Sequence, residues 1–100
     1  MLFYTQLIFI KEGQEALFHS FEDHVLPLLA RHNGKLLYRV RPGNDQVIET
    51  TMGHPYEVHL VSFDSKEDFM AYANDEERMK YVPMKNDSVL KVMLIEGVQI

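Results

Sequence analysis

The nine residues Leu2–Ile10 (LFYTQLIFI) constrain this chain more than any other stretch. Positions 3, 7 and 9 are Phe, Leu and Phe, while positions 2, 4, 8 and 10 are Leu, Tyr, Ile and Ile, so a strand here is apolar on both faces. The run is too short for a lone helix in water or for a membrane span, and it is rich in β-branched and aromatic residues. Such a strand is stable only in a sheet whose two sides are both covered. It runs straight into Lys11-Glu12 with no basic leader, so it reads as a buried strand rather than a signal peptide, and a cytoplasmic location is expected.

The periodicity then changes in a fixed order. Over residues 14–32, Leu17, Phe21, Val25, Leu28 and His32 share one helical stripe, flanked by Phe18, His24 and Leu29. Pro27 predicts a kink or restart near Leu26, and Asn33-Gly34 supplies residues that tolerate a left-handed C-cap. Residues 35–41 (KLLYRVR) and 56–63 (YEVHLVSF) alternate as two half-polar strands. The fourteen residues Pro42 to Pro55 between them point to a functional or extended hairpin loop. Ser65 is placed to cap a second helix with Phe69, Tyr72 and Ala73 on its inner face; Asp75 caps a further short turn that Pro83 ends. Residues 88–98 close the chain as a strand. The expectation is a single α+β domain over residues 1–100, ferredoxin-like in its β-α-β-β-α-β order, with helices on one face of a four-stranded antiparallel sheet.

That plan leaves the other sheet face bare, and the strands do not suit a bare face. The last strand carries Val89, Met93 and Ile95 on one side and Leu90, Val92 and Leu94 on the other. A second copy is the economical cover, so a homodimer is expected, with the last strand and Leu37, Val61 and Phe63 at the contact. Fifteen acidic against ten basic residues give a net charge of −5 without any basic run, which argues against nucleic acid as a partner, as the lack of a long apolar segment argues against a membrane. With no cysteine, neither a disulfide framework nor a thiolate zinc site is available.

The segments Asn33-Gly34-Lys35-Leu36-Leu37-Tyr38-Arg39 and Ser62-Phe63-Asp64-Ser65 carry a resemblance. The chain resembles the dimeric α/β barrels, in which two ferredoxin-like subunits set sheet against sheet. Within them it is similar to a branch of short chains of unknown function, marked by a helix ending in Gly-Gly, an arginine in the next strand and a Glu-Phe-Pro-Ser segment. Asn33, Ser62 and Asp64 depart from those letters. The wider relatives include cofactor-free monooxygenases, lactone isomerases, dehydratase-like enzymes and haem-degrading proteins, so the resemblance implies a pocket more than a chemistry.

Pairing the two half-polar strands sets Arg39 opposite Glu57 or His59, and places Arg39, Arg41, Glu57 and His59 on one face. Leu36, Tyr38, Val40, Tyr56, Val58 and Leu60 then suit the helices, which by elimination turns the charged cluster toward the barrel interior. As a chemical kit, His59 moves a proton, Glu57 fixes its imidazole, and Arg39 with Arg41 holds a small organic anion. His24 is a further acid/base candidate in a helix–sheet cavity with Tyr38 and Tyr72. His32 reads as a cap of the first helix, and His19 with Asp23 as a solvated pair rather than a metal site. No metal or cofactor is expected. The leading reading is a cofactor-independent enzyme acting by acid/base chemistry on a small acidic or aromatic metabolite. The alternatives are a non-catalytic binding or structural dimer whose charges form a salt-bridge network and, from the resemblance alone, haem binding or degradation.

Overall fold

In the computed structural model, which describes residues 1–100, Leu2–Ile10 forms β1. It lies at the centre of a four-stranded antiparallel sheet of order β2-β3-β1-β4, with β2 at Gly34–Val40, β3 at Glu57–Phe63 and β4 at Val89–Val98. Two central strands flanked by two edge strands is the ferredoxin-like arrangement.

The helix expected over residues 14–32 forms in two parts, α1 at Glu15–Val25 and a 3-10 stretch at Leu26–His32 with Pro27 in its first turn. Proline lacks an amide donor and crowds the preceding turn, so the α-helical ladder ends there. Asn33 takes the left-handed conformation at φ 56°, ending the stretch. After β3, Ser65 accepts a hydrogen bond from the amide of Asp68 (3.1 Å) and starts α2, Lys66–Ala73. Asp75 caps α3, Glu76–Met79, through the amides of Glu77 and Arg78. Pro83 does not stop the chain's helical path: it sits in the first turn of α4, Val82–Ser88, where its missing donor costs nothing.

The buried face of α1 is not the expected stripe. Phe18, Phe21, Glu22 and Val25 face inward, whereas His24 is exposed. Tyr4, Leu28, Leu29, Val61, Phe63 and Tyr72 form one part of the core, and Ile8, Phe18, Phe21 and Val25 another. Val61 and Phe63 thus lie beneath the helices and not at the bare sheet face, which corrects the contact positions expected of them.

The bare face carries the alternate residues, among them Leu7 paired with Val58 and Met93, and Tyr38 paired with Leu60. At one end of it, Met52 and Gly53 of the long connection fold over Phe9, and Lys91 donates to the Met52 carbonyl (2.8 Å) with its ammonium 4.6 Å from the Phe9 ring centre. Phe9 is consequently buried, while Tyr38, Met93 and Ile95 remain exposed. No helix is long and apolar enough to cross a membrane.

Candidate functional site

Arg39 pairs across the sheet with His59, one of the two expected registers. The register slips between Leu36 and Tyr38, so Leu37 is an extra residue and Leu36 falls on the face of Arg39 rather than that of Tyr38. The charged cluster faces α1, contrary to the expectation that it points into a barrel interior. The reason is Glu22, a carboxylate on the buried face of α1 that meets the cluster. Arg39 donates to Glu22 Oε1 (2.8 Å, from Nη2) and to Glu57 Oε1 (3.0 Å, from Nε), and Arg41 Nε donates to Glu57 Oε2 (2.5 Å). His59 Nε2 donates to Glu57 Oε1 at 2.7 Å. Glu22 Oε2 lies 2.9 Å from the same nitrogen, at ion-pair distance, and makes no hydrogen bond of its own.

These groups are deeply placed: Glu57 is 0% exposed, Glu22 2% and His59 4%. Burial opposes ionisation of Glu57, but the hydrogen bonds from His59, Arg39 and Arg41 outweigh it and hold its carboxyl well below the ordinary range. Glu22 shifts the other way. Burial raises it, the neighbouring Glu57 charge raises it further, and His59 and Arg39 offset only part. His59 is raised as well, because the two carboxylates outweigh its desolvation. Two carboxyl groups this close titrate as a unit, with Glu57 ionised and Glu22 carrying the proton more readily.

Glu22 and His59 line a cavity of about 330 Å³ between the helices and the sheet. Its walls are otherwise largely apolar, and it includes Tyr4, Phe21, Val25, Tyr72 and Leu94. The helix layer does not reach over β4, where Val92 is 39% and Leu94 46% exposed, so the cleft opens at that edge. Tyr4 stacks on Phe69 and donates to Glu96 (2.7 Å); burial, with that carboxylate, pushes its phenol up to about 12. Glu57, Arg39 and Arg41 border a separate, open groove on the outer side of the cluster.

Of the residues proposed from the sequence, His59, Glu57, Arg39 and Arg41 come together, and Tyr72 lines the cavity beside them. Tyr38 does not: it is 60% exposed on the face without helices, where it pairs with Leu60 and alternates with the inward Arg39. His24 is also elsewhere, bonded to the Ser20 carbonyl and stacked on Tyr81 at 4.2 Å, because α1 turns Glu22 inward in its place. Tyr56 donates to or accepts from His19 and packs on Phe18, leaving the bare face. His32 bridges to Asp75 Oδ2 (2.7 Å), joining the first helical layer to α3 rather than capping its own carbonyls.

Sequence reasoning missed Glu22. Its signal was positional: with Phe18, Phe21 and Val25 it keeps the i, i+3, i+4, i+7 spacing of an inward stripe, where an acid needs a partner. Glu22, Glu57 and His59 also bring three ligand atoms within 4.8 Å of one another, enough to grip a divalent cation. Arg39 already supplies positive charge to both carboxylates, so a metal would have to compete with its guanidinium.

No protein-family model and no curated protein matches this sequence. Solved structures match along nearly all of it. A protein of unknown function from Rhodopseudomonas palustris has a TM-score of 0.84 at 14% identity, covering 99% of this chain and 82% of that one. A dabb-family protein with a ferredoxin-like fold from Mesorhizobium loti gives 0.68 at 13%, covering 99% and 96%. A dimeric protein of unknown function from Bacteroides fragilis, also ferredoxin-like, gives 0.66 at 14%, covering 96% and 93%. What these proteins share with this chain at such identities is the ferredoxin-like fold, and the chain is a ferredoxin-like α+β protein.

Proposed function

We propose that this protein binds a small organic molecule in the helix–sheet cleft and exchanges a proton with it through Glu22. The observation that carries this reading is a buried carboxylate oxygen, Glu22 Oε2, with no hydrogen-bond donor, beside an imidazole in the wall of an otherwise apolar cavity. Glu57 has both oxygens hydrogen-bonded, whereas Glu22 leaves Oε2 without a hydrogen bond on the cavity side, where it can take up and return a proton.

The roles follow from the charges. Glu57 stays ionised and holds His59 as the donor at Nε2, making Glu57 and His59 positioning residues. Glu22, whose pKa is raised by burial and by the neighbouring Glu57 charge, is the stronger base of the two carboxylates when ionised. Taking a proton from a carbon next to a carbonyl leaves an enolate and a neutral Glu22; returning it to the same or a neighbouring carbon completes an exchange or an isomerisation. His59 Nε2, 2.9 Å from Glu22 Oε2, is close enough to stabilise the carboxylate each time it re-forms. Haem finds no comparable support, since the imidazole nitrogen that would bind iron is turned to two carboxylates.

The reading includes a homodimer closed over the bare sheet face, leaving each cleft on the outer, helical side. The exposed apolar residues of that face support it, as does the description of one structural neighbour as dimeric.

The test is isotope exchange. Aromatic and β-keto carboxylates are incubated with the protein in D₂O and their acidic C–H signals followed by NMR. A compound that binds should exchange in wild type and at least a hundredfold more slowly in Glu22→Gln, with binding retained. Equal exchange in the two proteins removes Glu22 as the acid/base group.

A further inference from the structure

We infer that Arg78 and Lys85 form the anion-binding end of the cleft, and that its ligand is a carboxylate carried on a single ring or short apolar chain. The inference rests on the proposed function of the cleft and names the class of molecule it takes. Both side chains line the same cavity as Glu22 and His59, one from α3 and the other from α4. Neither has an acidic partner: the ion pairs of this chain involve Arg31, His32, Arg39, Arg41, His59, Lys66 and Lys80. The nearby carboxylate of Asp75 is already engaged, Oδ1 by the amides of Glu77 and Arg78 and Oδ2 by His32.

Arg78 has one weak bond to the chain, from Nη1 to the Ala73 carbonyl (3.2 Å), and its buried Nε has none. Its guanidinium lies 5.0 Å from the centre of the Tyr72 ring and 6.0 Å from that of Phe21, which keeps it beside the aromatic wall of the cavity. A guanidinium cannot escape burial by losing its proton, so an unpaired one with a free donor calls for an anion. The Lys85 ammonium makes no hydrogen bond, and its own burial, with Arg78 beside it, favours the neutral amine; a bound anion relieves both effects. Arg39, expected from the sequence to be the anion anchor, is by contrast already shared between Glu22 and Glu57.

The space limits the ligand. About 330 Å³ is at the lower end of the roughly 300–1,000 Å³ of small-molecule sites and admits one ring with a short acid chain. Aromatic walls favour a flat, apolar body.

The probes are 3-phenylpropionate and its neutral amide, compared by calorimetry on the full chain. Wild type should bind the acid at least tenfold more tightly than the amide. Arg78→Gln and Lys85→Gln should each lower that ratio severalfold while leaving amide affinity within about twofold. Amide binding without preference for the acid, or a preference that survives both substitutions, overturns the anion subsite and leaves the cleft reading standing. If neither probe binds nor moves the NMR methyl signals of Val25 and Leu94, both readings fall together. Should Arg78→Gln lose its fold with the Ala73 bond, Lys85→Gln decides, since the Lys85 ammonium bonds to nothing in the chain.

Discussion

Glu57 and Glu22 stand in one buried cluster yet carry opposite demands. Glu57 receives donors from His59, Arg39 and Arg41, so replacing it leaves three polar groups facing a neutral amide. Glu57→Gln should cost about 3–5 kcal/mol of unfolding free energy in urea titrations, the usual penalty for breaking a buried ion pair from one side. Arg41→Gln should cost under about 1 kcal/mol, because the Arg41 side chain is 47% exposed and water replaces its bond. His59 makes stability depend on pH. Its folded pKa is raised above the ordinary 6.5, so its contribution is complete below 6.5 and is lost as the pH rises through the folded value. Thermal melts should show this decline on the alkaline side in wild type and a flatter profile in His59→Gln. The neighbourhood of Arg39, Glu57 and His59 was legible in the sequence because two alternating strands can pair their polar faces in few ways. Glu22 was not, since an acid among Glu15, Asp23 and other polar residues of an amphipathic helix reads as surface until its exact phase on the wheel is known.

At the scale of elements, the order of strands and helices, the break at Pro27, the Ser65 and Asp75 caps and the left-handed Asn33 all followed from local chemistry that a sequence displays. Which face of β2 and β3 meets the helices did not. The slip at Leu37 moves Leu36 across the sheet, and no residue type in Lys35–Arg41 announces an extra residue there. Gly34 shows the same kind of hidden constraint. It follows the left-handed Asn33 and reads as a partner in the cap, yet its own role is close approach: a Cβ there would lie 2.7 Å from the Phe63 ring and 3.0 Å from the Leu29 carbonyl. Gly34→Ala should therefore destabilise by about 1–3 kcal/mol through overpacking, measured by chemical denaturation, despite alanine's better intrinsic propensities. Stability equal to wild type would show that β2 can move away from the helical layer without loss.

As a whole the protomer is a slab of 36 × 35 × 17 Å, one layer of helices on one sheet. Two layers bury one side of the sheet only, which is why β1, apolar on both faces, argues for a second copy. Sedimentation at micromolar concentration should give one species near twice 11.7 kDa, and Leu60→Asp on the bare face should give monomers that still bind ligand in the cleft. A wild-type protein that sediments as a monomer contradicts the proposed assembly. What matters most, however, lies inside each protomer: the Glu22 carboxyl in the cleft wall and the Glu57 carboxyl behind it are pushed in opposite directions. NMR detection of side-chain carboxyl carbons through a pH titration addresses it without any ligand. Glu22 should take up its proton above the ordinary carboxylate value of 4.5 while Glu57 remains ionised well below it. Two ordinary titrations, both near 4.5, would show that Glu22 and Glu57 are not held in opposite states by their surroundings.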